Sequence, residues 1–204
     1  MTRHVGFLVS PGFNLLDLSG PLEVFQWAER HNPGTYQLTV MSMNGGMVAS
    51  AGPLNVSTAP LVLRPLDTLL VVGGNILTGP FAPDMIDFVR QASALARRTT
   101  SICTGAFILA AAGVLDGVSA TTHWMHAAKL QATHPCVRVE ADRIFIKDAN
   151  VWTSAGITAG IDMALALVQE DVGREASLAI ARMLVVYHRR AGGQQQHSSL
   201  LDLD

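Results

Sequence analysis

The chain has 204 residues, 49% of them hydrophobic and 15% charged, with a formal net charge of −2. That length fits one large domain, or one domain and a tail, and that composition supplies a sizeable core and excludes a disordered chain. The near-neutral charge excludes nucleic-acid binding by charge alone, and two cysteines, Cys103 and Cys136, are too few for a disulfide framework or a Cys-x-x-Cys metal pair.

Cysteine usage points to a reducing, cytoplasmic compartment, and the first residues carry no signal-peptide pattern. The longest apolar run, 106–115, is too short to cross a bilayer and is interrupted by Gly113, so a soluble protein without membrane contact is expected.

Residues 5–9 form a short apolar run ending at Ser10-Pro11-Gly12, the pattern of a buried strand and its turn. A loop over 13–17 leads to Ser19, the expected N-cap of a helix with Pro21 in its first turn. Asn32-Pro33-Gly34 ends that helix. Residues 36–41 alternate as a second strand, Asn44-Gly45-Gly46 signals a turn, and 47–49 are expected to return as a hairpin. Pro53, Pro60 and Pro65 mark 51–64 as irregular. Residues 68–72 read as a buried strand ending in Gly73-Gly74-Asn75, and Pro83 opens a helix expected to run to about Arg98.

Thr99-Thr100-Ser101-Ile102-Cys103-Thr104-Gly105-Ala106 sets a β-favouring run against a cysteine and then a helical pattern, the layout of a nucleophile elbow. A thiol at a helix N-terminus loses its proton more easily than a free one. The alternative is a small buried cysteine that only packs. Beyond the elbow, Asp116-Gly117 is a turn, 119–122 a short strand and 124–133 a helix. Strands are expected at 137–140, 143–147 and 151–154, the last two joined by Asp148-Ala149-Asn150, and helices at 157–170 and 175–187. Residues 1–188 are thus expected to form one domain, and 189–204, rich in Gly and Gln, a linker or tail.

Alternating strands and helices predict an α/β three-layer sandwich with a mostly parallel central sheet. Ligand sites in such sheets lie at the carboxyl ends of strands, where Asp17, Gly73-Gly74 and Cys103 are expected to converge. Backbone N–H groups of Gly73, Gly74 and Thr104 suit an oxyanion. Equally, Gly73-Gly74 reads as a plain turn and Thr104 as a helix cap. Asp17 reads either as a surface acid or as a partner of Cys103. An ionised carboxylate there would raise the thiol pKa, and a protonated one would shuttle a proton. Leu15, Leu16 and Leu18 supply the apolar surroundings that keep a carboxyl protonated. His123 is a base or thiolate partner, or else a structural histidine. His123 and His126 share a helix face and precede His134 and Cys136, but nothing completes a ligand set, so neither metal nor cofactor is expected.

Three stretches carry a family resemblance: Ser101-Ile102-Cys103-Thr104-Gly105-Ala106, Ala120-Thr121-Thr122-His123-Trp124, and Trp152-Thr153-Ser154-Ala155-Gly156-Ile157. Over 5–196 the chain resembles the class I glutamine amidotransferase-like, PfpI-type superfamily, and within it the amino-terminal domain of AraC-family transcriptional regulators. Ala181-Arg182-Met183-Leu184-Val185-Val186-Tyr187-His188-Arg189-Arg190 resembles the junction before their helix-turn-helix module. The resemblance implies a flavodoxin-like fold, a homodimer, a small-molecule ligand with Gly156 beside it, and DNA contacted only through a carboxyl-terminal module outside this chain.

The same motifs, with Leu16-Asp17-Leu18-Ser19-Gly20-Pro21, are similar to isocyanide hydratases. There the resemblance implies attack by the Cys103 thiolate on the isocyanide carbon, with Asp17 handling the protons, to give an N-substituted formamide. Thr104 stands where PfpI-type proteases carry histidine, which speaks against peptidase activity. His123 lies near the position of the histidine beside the cysteine in the Parkinson-disease deglycase relatives. A ligand-sensing, dimerising regulatory domain is the first implied function and a stand-alone hydratase the second, which leaves catalysis open. A redox sensor using Cys103 oxidation is a third.

Overall fold

The run Leu69-Leu70-Val71-Val72 has no polar face, so a strand made from it needs cover on both sides. The computed structural model describes residues 1–75 and 81–196 and supplies that cover; positions 197–204 of the expected tail lie outside the described residues. In chain order the elements are β1 (Arg3–Leu8), α1 (Leu15–His31), β2 (Tyr36–Ser42), β3 (Asn44–Ala49), β4 (Asn55–Pro60), β5 (Thr68–Val72), α2 (Pro83–Leu95), β6 (Arg98–Ile102), α3 (Gly105–Ala111), β7 (Ser119–Ala120), α4 (Trp124–Thr133), β8 (Arg138–Val139), β9 (Phe145–Asp148), β10 (Val151–Ser154), α5 (Thr158–Val172) and α6 (Arg174–Met183).

Eight strands form one sheet in the order β3-β4-β2-β1-β5-β6-β10-β9, and β7 pairs with β8 apart from it. The five pairings from β4 through β6 and on to β10 are parallel, while β3 and β9 run antiparallel at the two edges. Side chains alternate across the pleat. Val5, Phe7, Leu70, Val72 and Ile102 enter the core under α1, α5 and α6, and Leu8, Leu69 and Val71 enter the core under α2 and α3. This is the expected α/β three-layer sandwich with a mostly parallel sheet.

At the amino-terminal end of the sheet, Arg98 is 2% exposed and pairs with Asp171 through two hydrogen bonds of 3.1 and 2.5 Å. Arg3, Arg97 and the Tyr36 hydroxyl also converge on Asp171, so the buried guanidinium and carboxylate are both satisfied.

Several boundaries differ from expectation. Helix α1 starts at Leu15 after Asn14, not at Ser19, so Asp17 lies in its first turn and Pro21 lies inside it. Asn44-Gly45-Gly46 is strand, not turn, and β3 does not return on β2. Residues expected to be irregular form β4, which inserts between them, pairing parallel with β2 at Met41 and Ser42 only. Pro60 is tolerated because it closes that strand. Helix α2 stops at Leu95, since Ala96 is extended and Arg98 already belongs to β6. Helix α6 ends at Met183, and Val185, at φ 55°, breaks any continuation to Tyr187. Strand β7 covers only two of its four expected residues, and β9 starts two residues later than expected. Helix α4 occupies 124–133 as expected.

Candidate functional site

Four strand ends meet at the carboxyl edge of the sheet. The loop after β1 reaches the loop after β5 through Asn14 N–H donating to Gly73 C=O at 2.9 Å. Strand β6 must turn into α3 within one residue, and Cys103 makes that turn with φ 55°, a conformation L residues seldom adopt. Its N–H donates to Ser154 C=O at 3.0 Å, and its C=O accepts from Thr122 Oγ1 at 2.7 Å. There is no room beneath the elbow: a Cβ on Gly105 would lie 2.2 Å from the Val71 carbonyl oxygen.

Asp17 reaches the elbow from α1. It is fully buried, and its Oδ1 accepts from Ile157 N–H at 2.5 Å while, among the described residues, Oδ2 has no partner at hydrogen-bond distance. Gly156 fills the space between the two groups: a Cβ there would lie 2.2 Å from Cys103 Cβ and 3.0 Å from Asp17 Oδ1. Gly156 has φ 87° and Ile157 φ 53°. A β-branched residue at positive φ is an outlier costing about 1–3 kcal/mol, and here it aims the Ile157 N–H at the carboxylate. Ile157 is the functional-site residue that sequence reasoning missed; backbone strain has no sequence signature beyond the preceding glycine.

Burial raises the Asp17 carboxyl from 3.8 to about 6, against the pull of the Ile157 N–H, the Cys103 thiol and the Asn14 side chain. The first turn of α1 favours the ionised form by up to about 1 kcal/mol. Burial outweighs it, since the net rise of about two pKa units corresponds to about 3 kcal/mol. Burial, followed by the Asp17 charge, pushes the Cys103 thiol up to about 12, with the Thr104 N–H pulling the other way. The expectation of a thiol acidified by the helix is therefore corrected. Helix α3 has seven residues, and its end cannot offset a buried sulfur beside a carboxylate. Both values leave a thiol facing a carboxylate at neutral pH.

Thr104 stands at the N-cap of α3 with no side-chain cap bond. Its hydroxyl accepts from Gly74 N–H at 2.8 Å and donates to Gly74 C=O at 2.7 Å. The Gly74 N–H is thus occupied, and the Thr104 N–H faces the sulfur. Gly73 packs against Thr104, where a Cβ would meet its nitrogen at 2.6 Å. His123 caps α4, its Nδ1 accepting from Met125 N–H at 3.4 Å, and burial followed by neighbouring His126 lowers its pKa. His123 lines a cavity of about 120 Å³ with Gly156, Ile157, Thr158, Arg190 and Gln196, but the structure gives it no bond to Cys103. Among the described residues no three metal-capable side chains cluster, and Cys136 is exposed and unpaired. No helix among the described residues is long and apolar enough to cross a membrane.

A sequence model described as the DJ-1/PfpI family matches residues 3–170. The chain is 36% identical over 186 residues to the isonitrile hydratase of Pseudomonas putida, covering 90% of this chain and 78% of that one. It is 31% identical over 202 residues to the HTH-type transcriptional regulator GbdR of Pseudomonas aeruginosa, covering 96% of this chain and 53% of the regulator. The chain therefore spans about half the length of that regulator. A crystal structure of an AraC family transcriptional regulator from Pseudomonas putida superposes with a TM-score of 0.81 at 24% identity, covering 89% of this chain and 99% of that one, and so shares its fold.

Proposed function

This chain belongs to the DJ-1/PfpI family, and from that premise we propose that it is a ligand-sensing and dimerising domain of an AraC-type regulator. DNA would then be contacted through a carboxyl-terminal module outside this chain. The observation that carries this reading is a fully buried Asp17 set beside the buried Cys103 across Gly156, inside a chain 96% of which aligns with part of a regulator. Buried structural thiols are inert, which favours binding over turnover at this centre. The regulator relatives extend well beyond the matched region, and the formal charge of −2 fits a module that leaves DNA to another part of the protein. Dimerisation and the small-molecule ligand belong to this proposal.

The second reading is a cysteine-dependent isonitrile hydratase, favoured by the retention of both Cys103 and Asp17 in contact with Gly156. In that chemistry Asp17 takes the thiol proton as sulfur bonds to the isocyanide carbon, and the proton returns to that carbon. Water then adds to the thioimidate, and the carbon–sulfur bond breaks to release the N-substituted formamide and the thiol. Isocyanide turnover by the wild type and Cys103→Ala decides between the two. The sensing reading expects background rates for both proteins, together with a small molecule that raises the unfolding temperature in a concentration-dependent way. Turnover by the wild type that disappears in Cys103→Ala would replace it with the hydratase.

A further inference from the structure

Residues 189–196 have a linker's composition, yet they are tied to both walls of the Cys103–Asp17 centre. Arg190 donates from its backbone N–H to Asp162 Oδ1 at 2.8 Å, from Nε to Asp162 Oδ2 at 2.9 Å, and from its NH2 group to Thr158 Oγ1 at 2.8 Å. Those partners are the first turns of α5, next to the Ile157 N–H that holds Asp17. Gln196 grips the opposite wall. Its Nε2, with two hydrogens to donate, lies 2.9–3.0 Å from the carbonyls of Thr122, Ala141 and Arg143, and its Oε1 accepts from Trp124 N–H at 2.8 Å. Thr122 in turn holds the Cys103 carbonyl.

Between these two anchors the segment runs along the free edge of β9. Ile144 N–H donates to Gln194 C=O at 3.0 Å and Phe145 N–H to Gly192 C=O at 3.3 Å. A Cβ on Gly192 would lie 2.5 Å from the Phe145 oxygen, so this close approach needs glycine. Arg190 and Gln196 also line the 120 Å³ cavity together with Gly156 and Ile157.

We propose that residues 189–196 are a latch, held by Arg190 and Gln196, whose docking sets the accessibility of the Cys103–Asp17 centre. Arg190 and Gln196 are positioning residues, acting through Thr158 and Thr122. The inference rests on reading Cys103 and Asp17 as the functional centre and requires no identified ligand.

The test compares iodoacetamide alkylation of Cys103 with that of exposed Cys136 in the same molecule, for the full chain and for Arg190→Ala/Gln196→Ala. A buried thiol reacts through local opening, and losing both anchors should raise the Cys103-to-Cys136 rate ratio about tenfold, as a change near 1.4 kcal/mol does. New tryptic cleavage at Arg189 should mark the released latch, and amide exchange should quicken at 121–124 and 157–162 but not through the central strands. Arg190→Ala/Gln196→Glu keeps the shape at 196 but loses its donors, so it should raise the ratio as the double alanine variant does. A cleaved latch with an unchanged Cys103 ratio overturns the inference. So does a latch that stays protease-resistant in the double variant, and so does exchange that quickens uniformly. All arms are run without ligand, so a failed search for a ligand or for turnover touches only the proposed function.

Discussion

Gly156→Ala is expected to destabilise the protein by about 3–5 kcal/mol, the range of a large, mechanism-specific loss. Two costs add. Alanine at φ 87° is strained by about 1–3 kcal/mol. Its Cβ would also lie 2.2 Å from Cys103 Cβ and 2.8 Å from Cys103 Cα, so the elbow itself has to move. Gly34→Ala separates the two, because Gly34 has φ 85° and nothing within 4 Å of the added carbon. Urea unfolding should show Gly34→Ala losing only the backbone part. Equal losses at the two positions would mean that Gly156 does not wedge the site.

Asp17→Asn is expected to remove a pH dependence of about 3 kcal/mol from the wild type. The folded carboxyl titrates at about 6 instead of 3.8, so between those values the folded state holds more protons than the unfolded one. Stability then falls as pH rises, fully present below 3.8 and lost through 6, by about 1.4 kcal/mol per pKa unit. Asparagine cannot ionise, yet it keeps an oxygen for the Ile157 N–H. Unfolding curves of wild type and variant at pH 3.5 and pH 7 should therefore differ by about 3 kcal/mol more at the higher pH, in the variant's favour. The same change removes the second cause of the raised Cys103 thiol and should bring its titration down toward, though not to, the free-thiol range, because burial remains. Parallel stability profiles for the two proteins would show that Asp17 is not a buried, raised carboxyl.

Local patterns in the sequence were enough wherever a single element carried its own signal. Helix α4 lies where apolar spacing puts it, and β10 pairs back on β9 across Ala149-Asn150 as the turn residues require. The elbow is legible because a β-rich run, a cysteine and a helical pattern follow one another without a linker. Long-range partnership was not legible. A turn signal near Asn44 says that the chain reverses but not that β4 will slip between β2 and β3. Nothing near Arg98 announces Asp171, 73 positions later, which pairs with that arginine at the start of β6. The latch was hidden for a similar reason. Gly192, Gly193 and Gln194 have a linker's composition, and the groups that hold 189–196 come from distant segments, several of them backbone atoms, which carry no residue code. Asp17 was legible from its place after the first strand, and Ile157 not at all, because its role is a backbone N–H presented by a strained φ.

A carbon-13 NMR titration of the Asp17 side-chain carboxyl tests the central claim, a buried acid set against the Cys103 sulfur, most directly. The account predicts a midpoint near 6 in the wild type. A midpoint near 3.8, the value of an ordinary aspartate, would contradict it.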